Sequence, residues 1–316
     1  MNPILDNQRF AESFRTLSSV HLNPRRHTSA DAREHSCIAA SRAVELASAN
    51  CCSPQETLLL ENLGLAHDLG KLTGSTSPDR SVELLAACGI LDPALVSLVK
   101  WHDTSLPWYQ ASTRGQGPSD KAWRRLSSSV DLRLLALFMV ADRADSPAGW
   151  RRNAPTLWFL NEARSRGLVG DLSLDLPDHP SEVSAGGAVL RRELCGPEVL
   201  VIRVRAEGYE LPKGGIEWDE LPLETAERET REEAAVCSPL RGGPALGHLD
   251  YRVGEGASSH CKRARYFLLQ PERTVELGPL PERTRERRWV GLDAVATLPL
   301  VNEGLRPLLV RALTGA

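Results

Sequence analysis

The sequence predicts two domains, an all-helical domain followed by a mixed α/β domain. The chain has 316 residues, and such a length favours two domains of roughly 150 residues each. In the first part of the chain, apolar residues recur mainly at helical spacing, and no long stretch alternates like a strand. Strand-like stretches follow, interrupted by one strong helical pattern. We therefore place a helical domain at 1–172, a linker at 173–182 and an α/β domain at 183–316.

Hydrophobic periodicity assigns individual elements within each domain. In the first domain, five stretches have the apolar spacing of helices, whereas the turn-rich stretch 104–120 is typical of a loop. The five helical stretches are 38–49, 56–66, 81–88, 93–101 and 130–141. In the second domain, strands are predicted at 185–194, 198–204, 264–270 and 287–292, and helices at 222–235 and 302–313.

Composition argues against two broad classes of protein. The 38 Lys and Arg residues nearly balance the 41 Asp and Glu residues, and the net charge of −3 argues against a protein that coats nucleic acid. The longest apolar run, at 134–141, has eight residues. A bilayer span needs about 20 such residues, so we expect no membrane segment. The seven cysteines lack C-x-x-C spacing, which favours reduced thiols in a cytoplasmic protein.

A cluster of glutamates marks the α/β domain. Glu229, Glu232 and Glu233 have the spacing i, i+3, i+4, which places their carboxylates on one face of a helix. Three like charges this close repel one another, and a divalent cation relieves the repulsion. Ligands that offer only oxygen favour Mg²⁺ or Mn²⁺. The preceding Gly214 and Gly215 allow backbone carbonyls to approach the same metals.

This segment resembles the Nudix box, G-x5-E-x7-R-E-U-x-E-E-x-G-U, where U is a bulky apolar residue. Seven positions follow the pattern: Gly214, Glu220, Arg228, Glu229, Glu232, Glu233 and Val236. Two positions depart from it, because Thr230 replaces a bulky apolar residue and Ala235 replaces the glycine after the helix. We expect the first change to affect packing, and the second to shift the end of the helix, since it removes a residue suited to the left-handed conformation.

The resemblance implies an α-β-α sandwich that hydrolyses a nucleoside diphosphate linked to another group. It further implies that Glu232 and Glu233 bind Mg²⁺ or Mn²⁺. Glu229 would be a third ligand or the general base, positioned by Arg228. Glu220 would be a supporting contact.

The residues before the helix suggest a substrate class. The string LPKGGIE, which contains Lys213, Gly214 and Gly215, is similar to the Nudix branch that cleaves diadenosine and inositol polyphosphates. The resemblance implies that these three residues bind substrate, and it favours a dinucleoside polyphosphate. Two basic clusters are either further phosphate contacts or solvated faces. They comprise Lys262, Arg263 and Arg265, and then Arg283, Arg285, Arg287 and Arg288.

Histidines and aspartates at the ends of apolar helices mark the first domain. His35 lies at the start of one such helix, and His67-Asp68, His102 and Asp142 each end another. Polar groups at the ends of buried helices are costly unless they are paired or coordinated. Two histidines with two aspartates can hold Mn²⁺, Fe²⁺, Mg²⁺ or a related ion.

This arrangement resembles the HD superfamily of metal-dependent phosphohydrolases, which has a histidine, then His-Asp, then a distant aspartate in an all-helical fold. The string AHDLGK is the best match. The resemblance implies that His35, His67, Asp68 and Asp142 bind the metal. By the same resemblance, Lys71 contacts a phosphate, and His102 is the additional pocket histidine of several HD branches. Relatives with two metals have a further histidine soon after this string, but 72–81 contains none, so we expect one metal of unknown identity.

Together these features predict a bifunctional phosphohydrolase that acts on nucleotides or dinucleotides as small-molecule substrates. One alternative is an enzyme that processes RNA or nucleotide ends. Another is a nucleotide-sensing Nudix domain that regulates the HD domain. The sequence leaves the oligomeric state open.

Overall fold

The computed structural model of the chain describes residues 3–205, 207–256 and 259–315. Contacts divide the chain into two compact units, Met1–Ser181 and Glu182–Ala316. No helix in these described ranges has both the length and the apolar character needed to cross a membrane.

The first unit is built from ten α-helices and four short 3-10 helices in the described residues. The α-helices are α1 Pro3–Asp6, α2 Gln8–Thr16, α3 Ala32–Ala49, α4 Pro54–Ala66, α5 Pro78–Ala87, α6 Pro93–Trp101, α7 Ser105–Thr113, α8 Asp120–Ser129, α9 Leu132–Asp142 and α10 Ala154–Ser165. The 3-10 helices are Leu17–Ser19, Leu69–Thr73, Arg143–Asp145 and Trp150–Arg152.

All five helices predicted in this unit are present, and one predicted loop is wrong. The stretch 104–120 contains α7, which begins at Ser105. Pro107 is the third residue of this helix, and proline is tolerated in the first turn because its missing N–H has no partner there. The proline that suggested a loop is therefore compatible with the start of a helix.

Close packing of α3 against α4 sets the position of their polar residues. A Cβ atom at Gly64 would lie 2.4 Å from Ala40 Cα, so only glycine allows the two helix backbones to approach this closely. Gly64 precedes His67 by one turn, and the crossing therefore brings the end of α4 near the start of α3. Helix α9 passes through the centre of the unit, with all but one of its residues buried.

The second unit contains a six-stranded sheet and three helices in the described residues. Its elements are β1 Glu182–Glu193, β2 Gly196–Arg203, β3 Lys213–Gly215, α11 Pro222–Ala234, β4 Leu240–Val253, β5 His260–Pro271, β6 Glu286–Gly291, α12 Leu292–Val295 and α13 Leu305–Thr314. The sheet order is β4-β5-β1-β2-β6, and β3 pairs with β1. The β1–β5 pair is parallel, and the other pairs are antiparallel.

Helices cover both faces of this sheet, as the predicted α-β-α sandwich requires. Along β2, Val199 and Val201 belong to the core formed with α13, whereas Leu200 and Ile202 belong to the core beside α11. The four predicted strands correspond to β1, β2, β5 and β6, and three of them were predicted one residue too long at the C-terminal end. Strand β4 was not predicted because its Gly-Gly-Pro stretch breaks the alternation. The structure accommodates that stretch as a register shift between Gly242 and Ala245 on an edge strand.

Candidate metal centres

The four residues predicted as ligands in the helical unit converge on one position. His35 is the fourth residue of α3, His67 and Asp68 follow α4, and Asp142 is the last residue of α9. The Nε2 atoms of His35 and His67 are 3.2 Å apart. Each of these nitrogens also lies 3.1–3.4 Å from Asp68 Oδ2 and from Asp142 Oδ1.

The spacing and chemistry of these four atoms fit a divalent cation. Ligand atoms that share an ion at about 2.0–2.2 Å are separated by about 2.8–3.1 Å at octahedral angles and by about 3.3–3.6 Å at tetrahedral angles, and the distances from the two Nε2 atoms fall in this overall range. Two imidazole nitrogens with two carboxylate oxygens suit Mn²⁺, Fe²⁺ or a related ion. The facing Nε2 lone pairs of His35 and His67 would repel each other without a positive charge between them.

Hydrogen bonds on the far side of each ring determine which nitrogen faces the cluster. His67 Nδ1 lies 2.9 Å from the Gly64 carbonyl oxygen, and His35 Nδ1 lies 3.1 Å from Asp145 Oδ2. A carbonyl or carboxylate oxygen can only accept, so Nδ1 carries the donated proton in both rings. Each Nε2 is thereby left to offer its lone pair to a metal.

The two carboxylates give the cluster a strong preference for positive charge. Burial disfavours the charged form of His67, but Asp68 and Asp142 outweigh it and raise its pKa to about 9. Burial likewise opposes the charge on His35, and hydrogen bonds to aspartates raise its pKa well above the ordinary value. Against the effect of their own burial, the pKa values of both aspartates are held well below the usual range, chiefly by His67 and by Arg143 respectively.

The turn that carries Asp68 is held by a residue outside the predicted motif. Ser81 Oγ donates to the His67 carbonyl oxygen at 2.6 Å and accepts from Gly70 N at 2.9 Å. A Cβ atom at Gly70 would lie 2.8 Å from Ser81 N, which explains the glycine after the His-Asp pair. No pattern in the sequence singles out Ser81, since its role depends on how α5 packs against this turn.

Two further predicted residues border the cluster. Lys71 Nζ forms an ion pair with Asp68 Oδ2 at 2.5 Å, so its charge lies beside the ligand atoms. His102 is buried, and its ring meets that of His67 edge-on with 5.2 Å between the centroids. Its Nδ1 donates to the Val99 carbonyl oxygen at 2.7 Å. Burial and the nearby His67 lower the pKa of His102, which favours a neutral ring.

Asp145 is a buried carboxylate beside the cluster that the sequence did not lead us to predict. It lies in the 3-10 helix Arg143–Asp145 and is 1% exposed. Besides His35, it contacts His27 Nδ1 at 3.2 Å, so His27 lies behind the four ligand atoms. The spacing of three residues between Asp142 and Asp145 is the one sequence signal that could have identified it.

In the α/β unit, α11 places its glutamates beside β3. The carboxylate of Glu229 lies against Gly214, where a Cβ atom would come within 2.1 Å of it. Lys213 N donates to Glu233 Oε2 at 2.8 Å. The double glycine is therefore explained in part by the room that Glu229 requires.

Arg228 joins the predicted acidic residues into one network. Its Nε and Nη2 donate to the two oxygens of Glu220 at 2.8 and 2.9 Å. Its Nη1 donates to Glu229 Oε1 at 2.7 Å and to Glu232 Oε2 at 3.2 Å. Nη2 also donates to the Gly215 carbonyl oxygen at 3.0 Å, so that carbonyl binds Arg228, whereas we had expected it to face a metal.

The carboxylates of Glu229, Glu232 and Glu233 together fit a hard cation. Burial raises the pKa of Glu233, and the charges of Glu229 and Glu210 add to this effect. Glu232 keeps 58% of its side chain exposed, which leaves it accessible to an ion and its water. Oxygen-only ligands of this kind suit Mg²⁺ or Mn²⁺.

Lys213 and several residues of the two basic clusters already have acidic or carbonyl partners. The Lys213 ammonium forms an ion pair with Glu210. Lys262 Nζ lies 2.8 Å from Glu182, and Arg263 binds Asp250 through two contacts of 2.7 Å. Arg287 donates to two backbone carbonyls at 2.9 and 2.8 Å, one of them at the end of α11. A phosphate would have to compete with these partners.

Comparison with known families assigns the second unit. Residues 181–311 match the family model of the NUDIX domain. The chain therefore carries a Nudix domain. Two curated relatives come from Arabidopsis thaliana. Nudix hydrolase 4 is 37% identical over 109 residues, which cover 33% of this chain and 50% of the relative. Nudix hydrolase 12, mitochondrial, is 44% identical over 85 residues, which cover 25% of this chain and 40% of the relative.

The chain spans about half the length of the curated relatives it matches. Among solved structures, the C. elegans Ap4A hydrolase is similar at 19% identity and a TM-score of 0.32, covering 42% of this chain and 96% of that one. The E. coli dihydroneopterin triphosphate pyrophosphohydrolase is similar at 16% identity and a TM-score of 0.33, with the same coverages.

The structure shows how the two positions that depart from the Nudix box are accommodated. Thr230 is fully buried, and its hydroxyl is without a hydrogen-bond partner among the described residues. Ala235 adopts the left-handed conformation, with φ of 48° and ψ of 42°. The helix of the Nudix domain therefore ends at Ala234, and the alanine takes the conformation that glycine normally provides.

Proposed function

We propose that the chain is a bifunctional metal-dependent phosphohydrolase. The Nudix domain hydrolyses a phosphoric anhydride bond in a nucleoside-diphosphate-linked substrate. The helical unit is an HD-type phosphohydrolase that cleaves a phosphomonoester or phosphodiester of a nucleotide. The observation that carries the second half is the convergence of two histidine nitrogens, 3.2 Å apart, with two aspartate oxygens that each lie 3.1–3.4 Å from both nitrogens.

In the Nudix domain, α11 supplies the groups that act on the anhydride. A bound Mg²⁺ or Mn²⁺ would neutralise phosphate charge and acidify a water molecule. Glu232 and Glu233 would hold the ion. Glu229, a further ligand or the group that accepts the water proton, is oriented by its 2.7 Å contact with Arg228. Glu220 holds Arg228 in turn, so Glu220, Arg228, Glu229 and Glu232 form one hydrogen-bonded network.

In the helical unit, His35, His67, Asp68 and Asp142 would hold one divalent ion. Such an ion would polarise a phosphoryl oxygen and provide a reactive water. Lys71 binds Asp68 at the edge of the cluster, where its ammonium can neutralise a phosphate oxygen of the substrate. His102 is a neutral imidazole in the same buried region and can accept or deliver a proton.

For the Nudix domain, the Pro-Lys-Gly-Gly segment favours a dinucleoside polyphosphate. Because Lys213 forms an ion pair with Glu210, it can contact a phosphate only by exchanging that partner. We expect kcat/KM to be higher for diadenosine tetraphosphate than for ADP-ribose. Lys213→Ala should raise KM more for the longer phosphate chain, and Lys262→Ala should not. A wild-type preference for ADP-ribose would refute the substrate class and leave Nudix hydrolysis standing.

The bifunctional assignment is tested with one variant and one matched control in each unit. Phosphate release from a nucleotide panel is measured with Mg²⁺ and with Mn²⁺, using the full chain. Glu232→Gln should lower turnover of the anhydride substrate on the order of 10²-fold or more, since several kcal/mol of transition-state stabilisation depend on the ion. Glu227→Gln removes the same charge from the same helix and should retain activity.

The helical unit offers an equally close control. Asp68→Ala should abolish ester hydrolysis and reduce bound metal by one ion per chain, without affecting the Nudix reaction. Asp103→Ala alters the other His-Asp pair, which also follows a helix end, and should leave the metal content unchanged. If Asp68→Ala and wild type bind the same amount of metal, the His-Asp pair is a helix end and the proposed centre is wrong.

A further inference from the structure

Asp145 makes six short polar contacts within the helical unit. Its Oδ1 accepts from Thr28 N at 3.0 Å, from Thr28 Oγ1 at 2.5 Å and from Ser29 N at 2.8 Å. Its Oδ2 accepts from Ser29 Oγ at 2.5 Å and lies 3.2 Å from His27 Nδ1 and 3.1 Å from His35 Nδ1. Oδ1 therefore contacts only the loop before α3, whereas Oδ2 contacts both Ser29 of that loop and the two histidines.

The three histidines at the cluster differ in what holds them. His67 and His102 each follow a helix, and each Nδ1 donates to the carbonyl three residues earlier, at Gly64 and Val99. These carbonyls lie in the last turn of their helices, where carbonyls generally lack a partner inside the helix. The backbone therefore fixes both rings and turns Nε2 away from the helix.

His35 cannot be held in this way. It is the fourth residue of α3, so the carbonyl groups that precede it belong to the start of the helix. One of them, the carbonyl of Asp31, already accepts from His35 N at 3.1 Å. Carbonyls in the following turns are engaged by helical amides. The acceptor for His35 Nδ1 therefore comes from a side chain, and Asp145 provides it.

We infer that Asp145 is the positioning residue of the metal centre in the helical unit, because it receives the Nδ1 proton of His35 and so directs the Nε2 lone pair to the cation. This inference rests on the proposed metal centre. Asp145 lies on the far side of the imidazole from the other three ligands, so it acts through His35 and not on the substrate. A carboxylate in this position also makes the ligating nitrogen a stronger donor.

A purely structural role for Asp145 makes a different prediction. If its function were only to hold the loop at 27–29, weakening the loop contacts would have the same consequences as changing the carboxylate. Ser29→Ala removes one loop contact to Oδ2 but leaves the contact between Asp145 and His35. The two variants therefore separate a role in the loop from a role at the metal centre.

Asp145→Asn is the informative substitution because it preserves the size of the side chain. Its remaining oxygen can still accept from Thr28 N and Ser29 N. Its amide nitrogen can only donate, so His35 Nδ1 would have to accept and the ring proton would move to Nε2. A protonated Nε2 has no lone pair for a metal.

The experiment uses the full chain with ¹⁵N-labelled histidine and titrates it with Zn²⁺, a diamagnetic probe. Signals from His35 and His67 report this centre alone, so binding to the Nudix carboxylates does not interfere. In wild type we expect both Nε2 signals to shift and the Nδ1 proton of His35 to exchange slowly with solvent. Asp145→Asn should raise the Zn²⁺ Kd read from these signals roughly 10–100-fold and remove that slow proton.

Ser29→Ala should lower the melting temperature of the helical unit and leave the Zn²⁺ Kd at the wild-type value. The inference is overturned if Asp145→Asn binds Zn²⁺ as tightly as wild type. It is equally overturned if Ser29→Ala weakens binding as much as Asp145→Asn does. If neither histidine of wild type responds to Zn²⁺, the proposed metal centre itself fails, which is a distinct result.

Discussion

The Glu220–Arg228 ion pair should make a measurable contribution to the stability of the Nudix domain. Burial works against ionisation of Glu220, but the hydrogen bonds from Arg228 and Thr225 prevail and lower its pKa from 4.5 to about 2. One pKa unit corresponds to about 1.4 kcal/mol, so the shift is worth at most about 3.4 kcal/mol. The Glu220 and Arg228 side chains are 14% and 24% exposed, and solvent screening reduces the expected contribution to about 2 kcal/mol.

Glu220→Gln should therefore lower the free energy of unfolding of the Nudix domain by about 2 kcal/mol at neutral pH. Because the pKa of Glu220 is depressed in the folded state, its contribution is complete above its unfolded pKa of 4.5 and is lost as the pH falls toward about 2. The difference between variant and wild type should shrink steadily as the solution is acidified below 4.5.

The full chain is unfolded in urea, and unfolding is monitored by hydrogen exchange. Exchange in peptides from α11 and β1 reports the free energy of unfolding of the Nudix domain separately. Glu217→Gln is the matched control, since Glu217 is exposed in the same turn and its loss should cost less than about 0.5 kcal/mol. The reasoning fails if both variants are equally stable, or if the effect of Glu220→Gln does not depend on pH.

Three further outcomes follow from packing. Thr230→Val removes a buried hydroxyl without a described partner and should stabilise the Nudix domain by about 1 kcal/mol in urea unfolding, whereas Thr225→Val, which loses the bond to Glu220, should destabilise it. Ala235→Gly should stabilise the same domain by about 1 kcal/mol, because glycine adopts positive φ without strain; an unchanged unfolding midpoint would contradict this. Gly64→Ala places a methyl group 2.4 Å from Ala40 Cα. We expect it to lower both the melting temperature and the metal content of the helical unit. Metal content equal to that of wild type would contradict the role given to the close crossing of α3 and α4.

The sequence was sufficient to predict which residues lie together where their positions depend on helix ends and spacing. His35, His67, Asp68 and Asp142 were predicted as one set, and in the structure one oxygen of each aspartate lies within 3.4 Å of both histidine Nε2 atoms. The reason is physical, since each lies near the end of an apolar helix, and burying such ends brings their polar residues together. The Arg228 network was equally accessible, because its partners lie on one helix or in the turn that precedes it.

Other contacts could not be read from the sequence, because they depend on tertiary packing. Asp145 contacts a loop and a helix more than 100 residues earlier in the sequence. Ser81 contacts the turn after α4 only because α5 packs against that turn. Neither residue belongs to a periodic pattern. Lys213 was predicted to face a phosphate, but its partner Glu210 lies three residues earlier, where a bridge to β2 brings it alongside. Local spacing identifies a charge but not the partner that the fold gives it.

The donor atoms of the two centres differ in a way that follows from their folds. The Nudix glutamates lie on successive turns of one helix, and Glu232 stays largely exposed. Such a site offers only oxygen and leaves room for water, which suits Mg²⁺. The proposed centre in the helical unit would draw its ligands from three helices, with each imidazole held by a bond to its other nitrogen, so it would be complete only when those helices have packed. A metal bound at this proposed centre would therefore stabilise the folded unit, because the unfolded chain does not bring the four residues together.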